Sequence, residues 1–224
     1  MKPELVPEVV PLVRLAVVRA GPVVVGPAAR PLEEEIAGMC RTLAARHRGK
    51  APAQIEGLDP ARRLYKAFGI DPTQTRPSSE ALLRRILQEK PFPRVLNAVD
   101  VGNLCSVAFL LPLGLYDLGK VRGEVVLRRG APGETYAGIR KDAVHVGGRP
   151  TLADAEGPFG NPTSDSLRTC VTSGTTAIAM VIFAPASYPA AELRDHAVFG
   201  AERMRRHLGG AGVEPTVAWE LIPA

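Results

Sequence analysis

Residues 99–117, VDVGNLCSVAFLLPLGLYD, constrain the fold more than any other stretch of the chain. Their only charged side chains, Asp100 and Asp117, lie close to the two ends. So much apolar surface is not left in water, and we therefore expect the stretch to be largely buried. Its few polar groups, among them Asn103 and Ser106, then need hydrogen-bond partners or a function.

The same stretch predicts a change of secondary structure along the chain. It begins as a helix, is broken at Pro112 and Gly114, and leads to a strand at residues 124–129. Apolar periodicity with Pro at the start predicts four further helices, at residues 31–49, 59–69, 77–90 and 189–209.

Short β-branched runs bounded by Gly and Pro predict strands in the remaining segments. They lie at residues 12–18 and 23–25 (two strands or one bent strand), 123–129, 144–146 with 150–152 (a hairpin around Gly147-Gly148), 168–183 and 213–222. Residues 154–165 read as a polar loop. This order predicts an α+β fold, one domain over residues 1–224, with a mixed, mainly antiparallel sheet flanked by helices.

Composition excludes several classes of protein. No window approaches the roughly 18 apolar residues that span a bilayer, and Glu4 and Glu8 interrupt the N-terminus where a signal peptide would be apolar. The three cysteines are far apart and form no CxxC motif, and the four histidines form no HxH or HExxH motif. We therefore expect neither a metal site nor a cofactor. P-loop, GxGxxG and GxSxG motifs are absent from the sequence. We expect a cytoplasmic protein without a membrane partner.

The charge balance is compatible with RNA binding. The chain has 28 Lys and Arg against 23 Asp and Glu, a net charge of +5, and most of its cations are arginines, whose planar guanidinium binds phosphate well. If the helices at residues 59–69 and 77–90 are neighbours, their basic residues would form one face: Arg62, Arg63, Lys66, Arg84 and Arg85. Solvation of ordinary helix surfaces explains the same residues without any ligand.

Five motifs come in an order typical of one known family. They are RLYKAFGIDPTQTRPSSEALLRRIL, VDVGNLCSVAFLLPLGLYDL, GEVVLRRGAPGE, RPTLADAEG and DSLRT. The chain resembles a free-standing B3/B4 domain, the editing and tRNA-binding domain of the phenylalanyl-tRNA synthetase β subunit, with the core of the resemblance at residues 60–185. The resemblance implies a mixed sheet with flanking helices and a site that hydrolyses mischarged tRNA. It does not imply tRNA charging, which needs other synthetase modules.

Carrying the family's site over residue by residue retains only part of it. The corresponding segment of the synthetase has a pair of polar residues, and Asn103 matches one of the two. The synthetase pocket contains a histidine, and the corresponding position in this chain is near Gly114. The synthetase pocket also contains a glutamate, and Asp165 is the acidic residue nearest to its position.

Hydrolysis of an aminoacyl ester needs a positioned water and a polarised carbonyl rather than a strong nucleophile. Side chains suited to hold the water and the amino acid are Asn103, Ser106, Thr169, Thr172 and Thr176, and Asp165 or Glu134 would meet the α-ammonium group. Arg128 and Arg168 would take phosphate or ribose oxygens. Structural roles are open for the same residues: a turn cap for Asn103, a bond within a helix for Ser106, and an ion pair with Asp165 for Arg168.

Three hypotheses follow. The first is an editing-like hydrolase that acts in trans on mischarged aminoacyl-tRNA. The second is a non-catalytic module that binds tRNA or another RNA, with no DNA partner expected, and the third is an amino-acid-binding module. The residues leave open whether the protein is an enzyme.

Overall fold

Strand β9 (Ile178–Pro185) is buried along its whole length, and the layers on its two sides define the fold. It pairs antiparallel with β2 (Val13–Gly21) on one side and with β3 (Leu113–Asp117) on the other. Strand β10 (Thr216–Ile222) extends this sheet beyond β2, giving the order β10-β2-β9-β3. Every residue of β9 is apolar because both faces of the strand are covered.

The computed structural model describes residues 1–139 and 141–223. Within these residues it contains five α-helices: α1 (Arg30–Arg46), α2 (Asp59–Ala67), α3 (Ser78–Leu87), α4 (Asn97–Phe109) and α5 (Ala190–His207). Six shorter strands form the rest: β1 (Glu4–Leu5), β4 (Val126–Arg129), β5 (Thr135–Gly138), β6 (Lys141–His145), β7 (Pro150–Asp154) and β8 (Gly157–Gly160). No helix of the described residues is long and apolar enough to cross a bilayer.

One face of the central sheet packs against helices. Alternate residues of β9, such as Met180 and Ile182, join a core with Leu104 of α4 and Leu193 of α5. Helix α3 lies further out and packs through Leu83 against α1 and α4. The long apolar run of the sequence thus lies at the centre of the molecule.

The other face of the sheet is covered by α2 and a second sheet. Val181 and Phe183 of β9 point to this side, where they meet Leu64 of α2 and Leu127 of β4. The second sheet has the order β1-β4-β7-β8, and its β1–β4 pair is parallel while the others are antiparallel. Strands β5 and β6 form a separate antiparallel pair. The α+β class with mainly antiparallel sheets is confirmed.

The helices follow the predicted periodicity closely. All five predicted helices are present, and the apolar side of the last helix is buried, at Leu193, Ala197, Ala201, Met204 and Leu208. The predicted break after α4 is also present, because Leu110 adopts a left-handed conformation (φ 56°) directly before Leu111-Pro112. Gly114, however, does not end an element; it lies inside β3.

Two strand predictions in the second half of the chain were wrong. Residues 168–177 form turns instead of a strand, because hydroxyl side chains there bond to nearby backbone: Thr175 Oγ1 accepts from the Thr172 N–H at 2.9 Å. Residues 144–146 do not pair with residues 150–152. Instead β6 pairs with β5, and the buried β7 is bonded on both edges, by β4 and β8.

The predicted polar loop at residues 154–165 contains strand β8, which buried Phe159 anchors in the core. Of the two N-terminal runs, only the first is a strand, β2. Residues 23–25 form no strand, although Val23 and Val25 cover the helical core.

Candidate functional site

Strand β3 lies at the edge of the central sheet, and the segment that follows β8 covers this edge. Alternate residues of an antiparallel edge strand direct their backbone groups outward. The Leu115 N–H donates to Asp165 Oδ2 at 3.3 Å, and the Asp117 N–H donates to the Thr169 carbonyl at 2.9 Å. The carboxyl group of Asp165 is therefore bonded to the open side of the sheet.

A network of hydrogen bonds fixes the segment that carries Asp165. Asn161 Oδ1 accepts from the Thr163 N–H at 2.7 Å and from the Ser164 N–H at 2.9 Å. The Tyr65 hydroxyl lies 2.9 Å from Thr163 Oγ1 and donates to the Pro162 carbonyl at 3.1 Å. From the other side, the Tyr136 hydroxyl donates to the Ser164 carbonyl. Bonds from two separate elements hold the turn in place.

A cavity of about 130 Å³ opens between α4, β3 and this segment. Two of its lining side chains, Asn103 and Asp165, are polar. The others are apolar: Val99, Gly102, Leu113, Leu115, Ile139 and Val171. Ile139, with 46% of its surface exposed, brings apolar surface to the solvent side of the cavity. The structure thus brings together two residues that are 62 positions apart in sequence.

The carboxyl group of Asp165 is unusual because part of it is enclosed without a partner. Its Oδ1 is inaccessible to solvent and makes no hydrogen bond to any described residue. Burial raises the pKa of Asp165 to about 7, against the opposing effect of the Leu115 N–H. A carboxyl group with this pKa exchanges its proton near neutral pH.

The Tyr116 hydroxyl lies near this enclosed side of Asp165. It too is fully buried and has no hydrogen-bond partner within the described chain. Burial, and next the charge of Asp165, raise the pKa of Tyr116 well above its ordinary value. The two groups are close enough to affect each other's ionisation, yet their geometry does not make a hydrogen bond.

Two glycines leave the space that the Tyr116 ring occupies. A Cβ atom added to Gly114 or to Gly160 would overlap the Tyr116 side chain, and the one on Gly114 would also lie 2.9 Å from Asp165 Oδ1. The position at which the sequence resemblance places a histidine is therefore filled by a tyrosine ring from two residues further along β3.

The other predicted pocket residues lie in structural contacts. Ser106 Oγ donates to the Leu111 carbonyl at 2.9 Å, and Thr169 Oγ1 lies 2.9 Å from Ser166 Oγ. Glu134 forms a two-point ion pair with Arg128 at 2.7 and 2.8 Å, and Thr172 is exposed in a turn. None of these four is among the residues that line the cavity with Asn103 and Asp165.

The predicted basic residues fall into two groups. Arg62, Lys66 and Arg84 line a second cavity, of about 420 Å³, together with Arg76. The remaining four predicted cations have partners outside that cavity: Arg63 pairs with Asp59, Arg85 donates to the Pro91 carbonyl, Arg128 pairs with Glu134, and Arg168 pairs with Asp154. Arg168 thus bonds to a different aspartate from Asp165.

Several residues that shape the two cavities were not predicted from sequence. Tyr65 reads as an ordinary core residue of α2, and only the structure shows its hydroxyl on the Asp165 segment. Asn161 carried a usable signal, since the order Asn-Pro-Thr-Ser is typical of a side chain that bonds backbone two residues on. Glu80 also carried one, because it lies four residues from both Arg76 and Arg84.

Comparison with known proteins gives one family. The family model described as "B3/4 domain" matches residues 60–203, a range that contains both cavities' polar side chains. Among solved structures, the chain is similar to an N-terminal fragment of the phenylalanyl-tRNA synthetase β subunit from Pyrococcus horikoshii, at 13% identity and a TM-score of 0.41. That similarity covers 89% of this chain and 48% of the fragment, so this chain spans about half of it. No curated protein matches. The chain belongs to the B3/4 domain family.

Proposed function

We propose that the cavity at the edge of β3 binds the aminoacyl group of an aminoacyl-tRNA, or of a related aminoacyl ester, and that Asp165 promotes hydrolysis of the ester. The observation that carries the proposal is the carboxyl group of Asp165, which lies at an apolar cavity beside Asn103 and has a pKa of about 7. Membership of the B3/4 family supports a substrate related to tRNA.

The dimensions of the cavity suit one amino acid. Pockets for drug-sized ligands measure roughly 300–1,000 Å³, whereas this cavity measures about 130 Å³. A single side chain and its α-amino group are a better match to this volume than a nucleoside. The apolar walls would take the side chain, the Asn103 amide would bind a polar group, and the ribose would remain outside.

The proposed reaction needs no covalent intermediate. Asp165 in its ionised form takes a proton from a water molecule, whose oxygen attacks the ester carbonyl carbon. The bond from that carbon to the ribose oxygen then breaks, and the ribose oxygen takes the proton from Asp165, which returns to its ionised form. The products are the free amino acid and tRNA with a free terminal hydroxyl. A general base works best with a pKa close to the working pH, which the burial of Asp165 provides.

The test is deacylation of a panel of mischarged tRNAs by the wild-type protein and by Asp165→Asn. Asparagine keeps an acceptor for the Leu115 N–H but cannot take a proton. We expect the rate to fall by about 100-fold or more, the usual contribution of a general base. Asp59→Asn is the matched control, because Asp59 is an exposed carboxylate paired with Arg63. Absence of release above buffer for every tRNA, with tRNA binding intact, would exclude the hydrolase.

Binding of a free amino acid without hydrolysis is the second candidate, and it is favoured by the same small cavity with one carboxylate and one amide. It predicts that the wild-type melting temperature rises with particular members of an amino-acid panel. Asn103→Ala should abolish that rise, because the amide is one of the two polar groups that line the cavity. A panel without any rise would count against this candidate.

A further inference from the structure

The second cavity, between α2, α3 and the segment at residues 71–76, is strongly basic. It measures about 420 Å³ and is open to solvent. Four cations and two carboxylates line it, which leaves a formal charge of +2: Arg62, Lys66, Arg76 and Arg84 against Asp71 and Glu80. A charge of one sign in a concave surface attracts ligands of the opposite sign.

Glu80 organises the arginines of this cavity. Only 3% of its surface is exposed, and it accepts from Arg62 Nε at 2.9 Å and from Arg62 Nη2 at 3.0 Å. Its Oε1 also accepts from Arg84 Nε at 3.2 Å, whereas Arg76 Nε lies 3.9 Å away, beyond hydrogen-bond distance. One buried carboxylate therefore positions the guanidinium groups of Arg62 and Arg84, and Arg76 lies beside them.

The cations have more donors than Glu80 can use. Arg62 Nη1 and both Nη atoms of Arg84 have no acceptor among the described residues, and the same holds for Arg76 and for the Lys66 ammonium group. Asp71 forms no ion pair with these cations within the described residues; its Oδ1 accepts from both the N–H and the hydroxyl of Thr73 at 2.8 Å, and its charge is already counted in the net +2. Unpaired donors at an open cavity, two of whose arginines are held in place by a buried carboxylate, are typical of an anion site.

We infer that this cavity is a phosphate-binding site, separate from the cavity that contains Asp165. Several guanidinium groups presented together match the oxygens of a phosphate, and a divalent anion would balance the formal charge of +2. The phosphate group belongs either to a free phosphate compound or to the backbone of an RNA, and the chemistry of recognition is the same for both. The inference does not depend on hydrolysis at Asp165.

Two single substitutions remove cavity cations while leaving the Arg62–Glu80 pair intact. They are Lys66→Gln, at an exposed position, and Arg76→Gln, whose guanidinium does not hydrogen-bond to Glu80. The matched control is Arg63→Gln, which removes one charge from the same helix on an exposed surface that does not line the cavity. Thermal unfolding of all three proteins checks that they are folded.

Two probes separate the sources of phosphate: pyrophosphate, titrated by calorimetry, and uncharged tRNA, titrated by fluorescence anisotropy at fixed salt. Loss of one partly exposed charge should raise the dissociation constant about fivefold. A rise for pyrophosphate alone, in the two cavity variants and not in the control, identifies a free phosphate compound as the ligand. A rise for tRNA, with a salt slope reduced by about one, identifies an RNA backbone.

Equal affinity of the cavity variants and the control for both probes would overturn the inference. A second measurement does not depend on the variants. In the wild-type protein, pyrophosphate should shift the backbone amide resonances of residues 62–84, and shifts confined to other parts of the chain would also overturn it.

Discussion

At the scale of single residues, Gly114 is the position that most sharply separates this chain from the family pattern seen in its sequence. The absent side chain is a steric requirement, since a Cβ atom would overlap the Tyr116 hydroxyl and press on Asp165 Oδ1. We expect Gly114→Ala to lower the free energy of unfolding by about 1–3 kcal/mol, the usual cost of overpacking a buried site. Chemical denaturation measures it. Gly174→Ala is the control, because its Cβ atom would have 3.9 Å of space.

The Tyr116 hydroxyl gives a second prediction, which identifies the cause of that loss. It is buried with no hydrogen-bond partner in the described chain, so Tyr116→Phe should be neutral or stabilise the protein by about 1 kcal/mol. In the double variant with Gly114→Ala, removal of the hydroxyl should recover part of the lost stability, which a double-mutant cycle measures. Strictly additive effects would show that the hydroxyl is not the group that excludes a Cβ atom at Gly114.

At the scale of elements, α2 is connected to the segment that carries Asp165 through one hydroxyl group. Tyr65 Oη lies 2.9 Å from Thr163 Oγ1 and donates to the Pro162 carbonyl at 3.1 Å. Tyr65→Phe keeps the ring in the core, removes both contacts, and should cost about 1 kcal/mol of stability. If Asp165 is the general base, kcat for deacylation should also fall, because a positioned carboxylate is what the rate depends on.

A pH profile distinguishes this positioning role from a purely structural one. With Asp165 held less firmly and more exposed to water, its pKa should move down towards the ordinary value, and the pH at which the rate rises should move with it. Tyr188→Phe is the matched control, since the Tyr188 hydroxyl bonds to His196 and lies on the face of the central sheet opposite to Tyr65. A fall in stability with an unchanged pH profile would contradict the positioning role.

Elements also show where sequence reasoning succeeded and where it could not. Helices were predicted well because their apolar period and their Pro and Gly boundaries are local signals, as at α2 and α5. Residues 168–177 have strand-like composition, but their hydroxyl side chains bond to nearby backbone and form turns. The pairing of β7 with β4 and β8 depends on burial across the whole molecule, which no local pattern records.

The candidate sites likewise contain residues that the sequence predicted and features that it did not. Asn103 and Asp165 were predicted as pocket residues, and the structure places both at one cavity. The enclosure of Asp165 Oδ1 was not predictable, because it arises from Tyr116 folding over Gly114 on an edge strand. Arg62, Lys66 and Arg84 were predicted as a basic face, but the buried Glu80 that orients two of them was not.

At the scale of the whole molecule, five titrating groups make the folded state more stable as the pH rises. Glu35, Glu134 and Asp154 have pKa values below their ordinary range. For Asp154, burial is the largest single effect and raises the pKa, but the interaction with Arg168 and the backbone hydrogen bonds from Arg122 and Glu156 together outweigh it. They stabilise the fold above the unfolded pKa, and this contribution is lost as the pH falls. His47 and His196 have pKa values lowered by burial, so stability rises with pH up to about 6.5 on their account.

The ionisation of Asp165 has the opposite effect on the pH dependence of stability. Comparison of the wild-type protein with Asp165→Asn isolates this effect. Its pKa of about 7 in the folded protein exceeds the ordinary value of 3.8, so the folded state holds a proton that the unfolded state releases. The wild-type protein should therefore lose stability relative to Asp165→Asn as the pH rises from about 4 to about 7, by on the order of 1–3 kcal/mol. Denaturation of both proteins at pH 4, 5.5, 7 and 8 measures the difference, in which the other titrating groups cancel. A difference that stays constant from pH 4 to pH 8 would show that Asp165 ionises in the folded protein as it does in water, and would remove the physical basis for its role as a base near neutral pH.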